Sequence, residues 1–217
     1  MAVTVTDNRS TRDRILDAAL TAFADRGVDA TSLDSLAVEI GVRKQTILYW
    51  FPSKEVLLLG VVDHAVSELG ARLSEAALAA RPGRAERAGR SSRTGRPTSS
   101  AVASLEDRLV AVVDTTFRLG TTHPQLLAVV REVTRVGPPA STHLASAVEP
   151  LVEAAAAALA SGTDRERIRR VLLAASARVV GMATEAEVRA NLGLAPDLTW
   201  LRERRRVLIE SLIDSLR

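Results

Sequence analysis

Arg43, Lys44, Gln45 and Thr46 stand in a row, and Tyr49 follows four residues after Gln45. On the first turn of a helix these side chains have the chemistry of base edges and phosphates. Lys and Arg donate to guanine, and Gln can make a bidentate pair with adenine. Residues four apart are neighbours on a helix, so Tyr49 shares a face with Gln45. Its hydroxyl can reach a phosphate and its ring a thymine methyl. Trp50 reads equally as contact and as packing. Lys54 opens the next helix, where free backbone N–H groups and a positive charge both favour a phosphate. Thr31 reads first as the cap of the preceding helix, and as a phosphate ligand only if that cap faces DNA. Ile47 and Phe51, again four apart, read as core.

The elements that must position these residues are helices. Ile15, Ala19, Ala22 and Phe23 make one stripe over 11–26, with Ser10 and Asp13 as a capping pair and Gly27 as the stop. Thr31 with Asp34 predicts the start of a second helix, carrying Leu33, Leu36, Ala37 and Ile40 and ending at Gly41. A third runs through Lys44 to Phe51 and is closed by Pro52. Short helices joined by a glycine turn describe a helix-turn-helix. A long helix is expected from Ser53, its cap, to about residue 80. Further helices are expected at 102–119, from Pro124 to about 136, at 141–160 with an interruption at Pro150, from Asp164 to about 192, and at 197–216. The fold class is all-α, with about nine helices. The expected domains are a helix-turn-helix head at 1–52 and a helical regulatory and dimerisation region at 53–217.

Bulk composition narrows the function. The 217 residues include 47% hydrophobic but only 3% aromatic side chains, so Leu, Val, Ile and Ala must build the core. Cysteine is absent, which excludes thiol catalysis, disulfides and Cys-bound zinc or iron–sulfur clusters. His64, His123 and His143 lie far apart without metal-ligand spacing, and no phosphate loop, nucleophile elbow or paired-carboxylate motif occurs. No enzyme, metal or cofactor is therefore expected. Neither a membrane span nor a signal core is visible, and a cytoplasmic location is the expectation. The net charge of +3 is unevenly placed. Residues 1–60 carry seven Lys or Arg against eight acids, whereas 81–96 carry six Arg against Glu86 alone. The stretch 81–100 reads as a flexible Arg-rich loop, either a solvated linker or a salt-sensitive arm for nucleic acid.

The segment GVRKQTILYWFPSKEVLL at 41–58 resembles the tetracycline-repressor (TetR) family of regulators. The matching residues are Gly41, Val42, Thr46, Tyr49, Phe51, Ser53, Lys54 and Glu55. Upstream, ILDAALTAFADRGVDATSLDSLA at 15–37 is similar to that family's first two helices. Leu48 stands where an aromatic is usual, Trp50 where His is common, and Arg43 where Ser often starts the recognition helix. The resemblance covers roughly residues 10–60.

That resemblance implies a homodimeric, sequence-specific DNA-binding regulator, a repressor released from a palindromic operator by a small-molecule effector. It implies a dimer interface on the last two helices, for which Leu172, Ala175, Val179, Leu201, Leu208 and Leu212 supply apolar stripes. Effector contacts would come from Phe117, Leu127, Val130, Met182 and Trp200, each of which reads also as ordinary core. A helical adaptor for protein partners is the competing class, but the first turn at 43–46 lacks the apolar anchors such docking needs. A ligand-independent or activating regulator of the same fold stays open.

Overall fold

The computed structural model describes residues 10–79, 122–159, 164–194 and 197–216, with isolated helical positions between 111 and 118. The Arg-rich stretch 81–100 and most of the expected helix at 102–119 lie outside the described residues. Among those described there are eight helices: α1 (Thr11–Arg26), α2 (Leu33–Ile40), α3 (Lys44–Trp50), α4 (Lys54–Ala79), α5 (Pro124–Val136), α6 (Ala140–Leu159), α7 (Arg165–Asn191) and α8 (Leu198–Leu216). No described residue is in a strand, so the all-α class stands.

Local chemistry sets the helix ends. Ser10 Oγ accepts from Asp13 N–H at 3.1 Å and donates to the Asp13 carboxylate at 2.7 Å, capping α1. The cap of α2 is Ser32, not Thr31: Ser32 Oγ accepts from Ser35 N–H at 3.0 Å. Gly41 ends α2 in the left-handed region (φ 76°, ψ 34°), where a side chain would be strained, and Val42 N–H returns to Ala37 O at 2.9 Å. Ser53 caps α4 through Val56 N–H at 3.2 Å. Asp164 caps α7, and Asp197 Oδ1 accepts from Trp200 N–H at 2.7 Å in the first turn of α8. Pro150 sits inside α6, which continues through it as one helix instead of restarting.

Two compact units form. The first comprises residues up to Ser67 together with His123–Val148. Its core joins Ile15, Leu16, Ala19 and Phe23 of α1, Leu36 of α2, Ile47 of α3, Leu57 and Val61 of α4, and Val129 and Val133 of α5. Polar ties join its helices as well. Asp63 and His64, adjacent on α4, bond to His143 of α6 (2.7 Å) and Asp17 of α1 (2.8 Å). The second unit, Glu68–Thr122 and Glu149–Arg217, is centred on Val152, Ala156, Ile168, Val171, Leu172, Leu208 and Leu212.

Candidate nucleic-acid interface

Helix α3 is held by one buried side chain, Ile47, and by the buried Phe51 that follows it. The core pairing expected of these residues is what the structure contains. Everything else the sequence singled out on α3 points away from that anchor or to its margin. Arg43, Gln45, Tyr49 and Trp50 are exposed, while Lys44 and Thr46 are half-buried. Tyr49 is 79% exposed, an unusual position for an aromatic ring that had only packing to do. Its ring meets Trp50 edge-on, with centroids 5.3 Å apart and planes at 84°. The two aromatics thus brace each other at the end of the helix without being buried by the head. The first unit therefore brings six of the eight expected DNA-contacting residues onto one short helix and its entry.

The remaining two are placed otherwise. Thr31 is only 2% exposed, and its hydroxyl donates inward to Gly27 O at 2.8 Å and Ala22 O at 3.3 Å. It ties the turn after α1 to that helix; a buried hydroxyl already donated has no reach to a phosphate. Lys54 is half-buried and turns its ammonium to backbone carbonyls, 3.0 Å from Val28 O and 3.3 Å from Thr31 O. The start of α4 is also satisfied from within. Ser53 covers one free N–H, and Glu55 sits in the first turn. The hydrogen bond from Ser53, above all, holds the Glu55 carboxyl below its ordinary range.

Several charges around α3 are paired in the free protein. Lys44 Nζ lies 2.8 Å from Asp34 Oδ2 on α2. Arg26 bonds to Glu39 at 3.1 Å, and Arg14 Nη2 donates to Ile40 O at 3.0 Å, neutralising the carbonyl end of α2. Arg12 stacks over Phe51 at 5.5 Å. Sequence reasoning missed Asp34 as the partner of Lys44. Their spacing of ten residues follows from a turn geometry that only the folded motif reveals.

A model of the tetR family of bacterial regulatory proteins matches residues 15–61, the span from α1 into α4. This head belongs to the TetR family. Over 44 residues the chain is 39% identical to IcaR of Staphylococcus aureus (strain Newman), a negative transcriptional regulator of a biofilm operon. That alignment takes in 20% of this chain and 24% of IcaR, so the chain spans about a quarter of the length of the curated relatives it matches. The fold likeness is broader. A TetR transcriptional regulator from Legionella pneumophila matches over 94% of this chain and 98% of its own, with a TM-score of 0.66 and 18% identity. FadR from Bacillus subtilis, crystallised with stearoyl-CoA, matches over 94% and 99% respectively, with a TM-score of 0.66 and 15% identity. Beyond the TetR-type head the chain thus shares the fold of these transcriptional regulators.

The residues expected to contact an effector are divided between the units. Leu127 and Val130 lie half-buried on α5 in the first; Phe117, Met182 and Trp200 lie half-buried in the second. Trp200 is flanked by the guanidinium groups of Arg189 and Arg204, each 5.7 Å from its ring centroid. Of the expected dimer-interface residues, Leu172, Ala175, Val179, Leu208 and Leu212 are buried within the protomer itself, and Leu201 is half-buried. The large apolar side chains left exposed among the described residues of α7, α8 and the turn between them are Leu173, Val188, Leu192, Leu194, Leu198 and Val207. Among the described residues no helix is long and apolar enough to cross a membrane, and no group of His, Asp and Glu is arranged to hold a metal.

Proposed function

We propose that the chain is a sequence-specific DNA-binding repressor, with 1–52 as its reading head and 53–217 as its regulatory and dimerisation region. One observation carries the reading: Arg43, Lys44, Gln45, Thr46 and Tyr49 are gathered on a helix that spends only Ile47 on the core. The first turn of such a helix offers its donors to base edges in the major groove. Lys44 and Gln45 read bases, Arg43 and the Tyr49 hydroxyl hold phosphates, and Thr46 lies against the backbone. Trp50 supports Tyr49 from its edge. The protein works in the cytoplasm as a homodimer on a palindromic site, because one such head covers only a few base pairs. A small effector taken up by the helical region releases it. The FadR–stearoyl-CoA complex supports that reading, through a fold shared with this chain.

Selection from a random duplex pool at about 150 mM salt, where sequence-independent phosphate binding is weak, tests the reading. Wild type should enrich a palindrome. Lys44→Ala and Tyr49→Ala should weaken or broaden that preference while the fold is retained. Binding that is equally salt-labile in all three proteins and enriches no sequence would end the proposal.

A further inference from the structure

The turn between α1 and α2 is gripped from two sides. Glu132 of α5 accepts the Val28 N–H on Oε1 at 2.7 Å across 104 residues of sequence. Its side chain is 12% exposed, and its second oxygen accepts from Arg135 Nε at 2.8 Å. Arg135 reaches on to Asp29 Oδ2, also at 2.8 Å. From α4, the Lys54 ammonium lies against the carbonyls of Val28 (3.0 Å), Thr31 (3.3 Å) and Asp29 (3.5 Å). A carboxylate thus holds a donor of this short turn, and an ammonium holds its acceptors. Gly27 makes room for the first grip: a Cβ there would stand 3.1 Å from Glu132 Oε1.

What the turn carries gives the grip its meaning. Ser32, the cap of α2, follows directly, and α3 hangs from α2 through Gly41. A displacement of 28–31 moves α2 and α3 together relative to α1. Helix α5 is otherwise seated by Leu126, Val129 and Val133, apolar contacts that fix its depth but are non-directional. The charge-assisted bond to Val28 supplies direction.

We propose that Glu132 is a positioning residue for DNA reading: its bond to Val28 sets the orientation of α2 and α3, so the placement of α5 is read out at the recognition helix. Lys54 is its counterpart, an anchor of the same turn and not a phosphate contact. The inference rests on the DNA-binding reading above.

The test uses the full chain, with the duplex enriched by wild type and a scrambled duplex as probes. Glu132→Ala, with helical content confirmed, should lose about tenfold or more of its preference for the enriched duplex, the scale of one charged hydrogen bond. Its affinity for the scrambled duplex should hold. Glu132→Gln, whose amide oxygen can still accept from Val28, should keep most of the preference. Amide exchange should show Val28 N–H losing protection in the Ala variant only. Lys54→Ala should weaken binding without lowering the salt slope by the about one unit expected of a lost phosphate contact. A folded Glu132→Ala protein with wild-type preference, or with Val28 still protected, overturns the role of Glu132. A wild type that enriches no duplex overturns the DNA-binding reading, and this role with it.

Discussion

Lys44, proposed above as a base contact, is already engaged by a carboxylate in the free protein. Its ammonium is 2.8 Å from Asp34, and the two side chains are 43% and 69% exposed, so the pair adds little to stability. Its effect falls on the proposed DNA binding instead. Before Lys44 reaches a guanine it must leave a carboxylate, and that carboxylate then faces the phosphates. Asp34→Asn should therefore tighten binding to the selected duplex several-fold, and most at low salt, with the melting temperature unchanged. Titration by anisotropy at two ionic strengths checks this; equal affinities in both proteins would show that the pair plays no part. The grouping of 43–46 with Tyr49 was legible in the sequence, because it needed only a helix to bring it together; the Asp34 partner was not. Thr31 and Lys54 are turned inward, away from where their types suggested, for a shared reason. Their types suit a phosphate, but whether a hydroxyl or ammonium faces outward depends on where the 28–31 carbonyls lie. Thr31 beside Ser32 also offered two capping hydroxyls, and the inward bonds of Thr31 left the cap to Ser32.

At the scale of elements, α1, α3 and α4 meet at Gly60. A Cβ there would stand 2.8 Å from Phe51 Cε1 and 3.3 Å from Leu16 Cδ2, both in side chains that are almost fully buried. Gly60→Ala should cost about 1–3 kcal/mol of stability, since overpacking outweighs the usual helical gain of alanine. Denaturant unfolding of the full chain measures it, and a stabilised variant would refute the packing argument. The tie between α5 and the head carries a pH signature. Arg135, first of all, holds the Glu132 carboxyl below its ordinary 4.5. A carboxylate with a depressed folded pKa contributes stability that is present above 4.5 and is lost as pH falls through the lower folded value. The stability advantage of wild type over Glu132→Gln should be level at neutral pH and shrink only in that acid range. An advantage that persists at full strength there would mean that the charge is not what matters. Among the described residues, sequence showed the helices almost to the residue, because caps and glycine stops are local signals. It gave no sign of Glu132, whose partner lies 104 residues away and is a backbone N–H with no side-chain type to betray it.

For the whole molecule, period alone could not divide the apolar residues of α7 and α8 between core and partner. The stripe through Leu172, Ala175 and Val179 is spent inside the protomer, and Leu208 and Leu212 answer it from α8. What faces outward is Leu192 (70% exposed) and Leu198 (69%), with Val188, Leu194, Leu173 and Val207. These side chains are available to the proposed homodimer as an association surface. Leu192→Glu with Leu198→Glu should give a folded monomer by sedimentation, and should bind a half-site and the full palindrome with nearly equal affinity. A dimer that survives both changes would place the interface elsewhere.

The shortness of α3 has a consequence in information. Seven residues rise about 10 Å, the span of about three base pairs along one strand. Each pair read without ambiguity in the major groove supplies about two bits, so two copies of the helix supply about twelve. Singling out one address among about a million competing sites takes about twenty. DNA that bends or narrows more readily in some sequences than in others is one source able to meet the deficit. Where that source is used, positions of the proposed operator that α3 never touches carry a preference of their own.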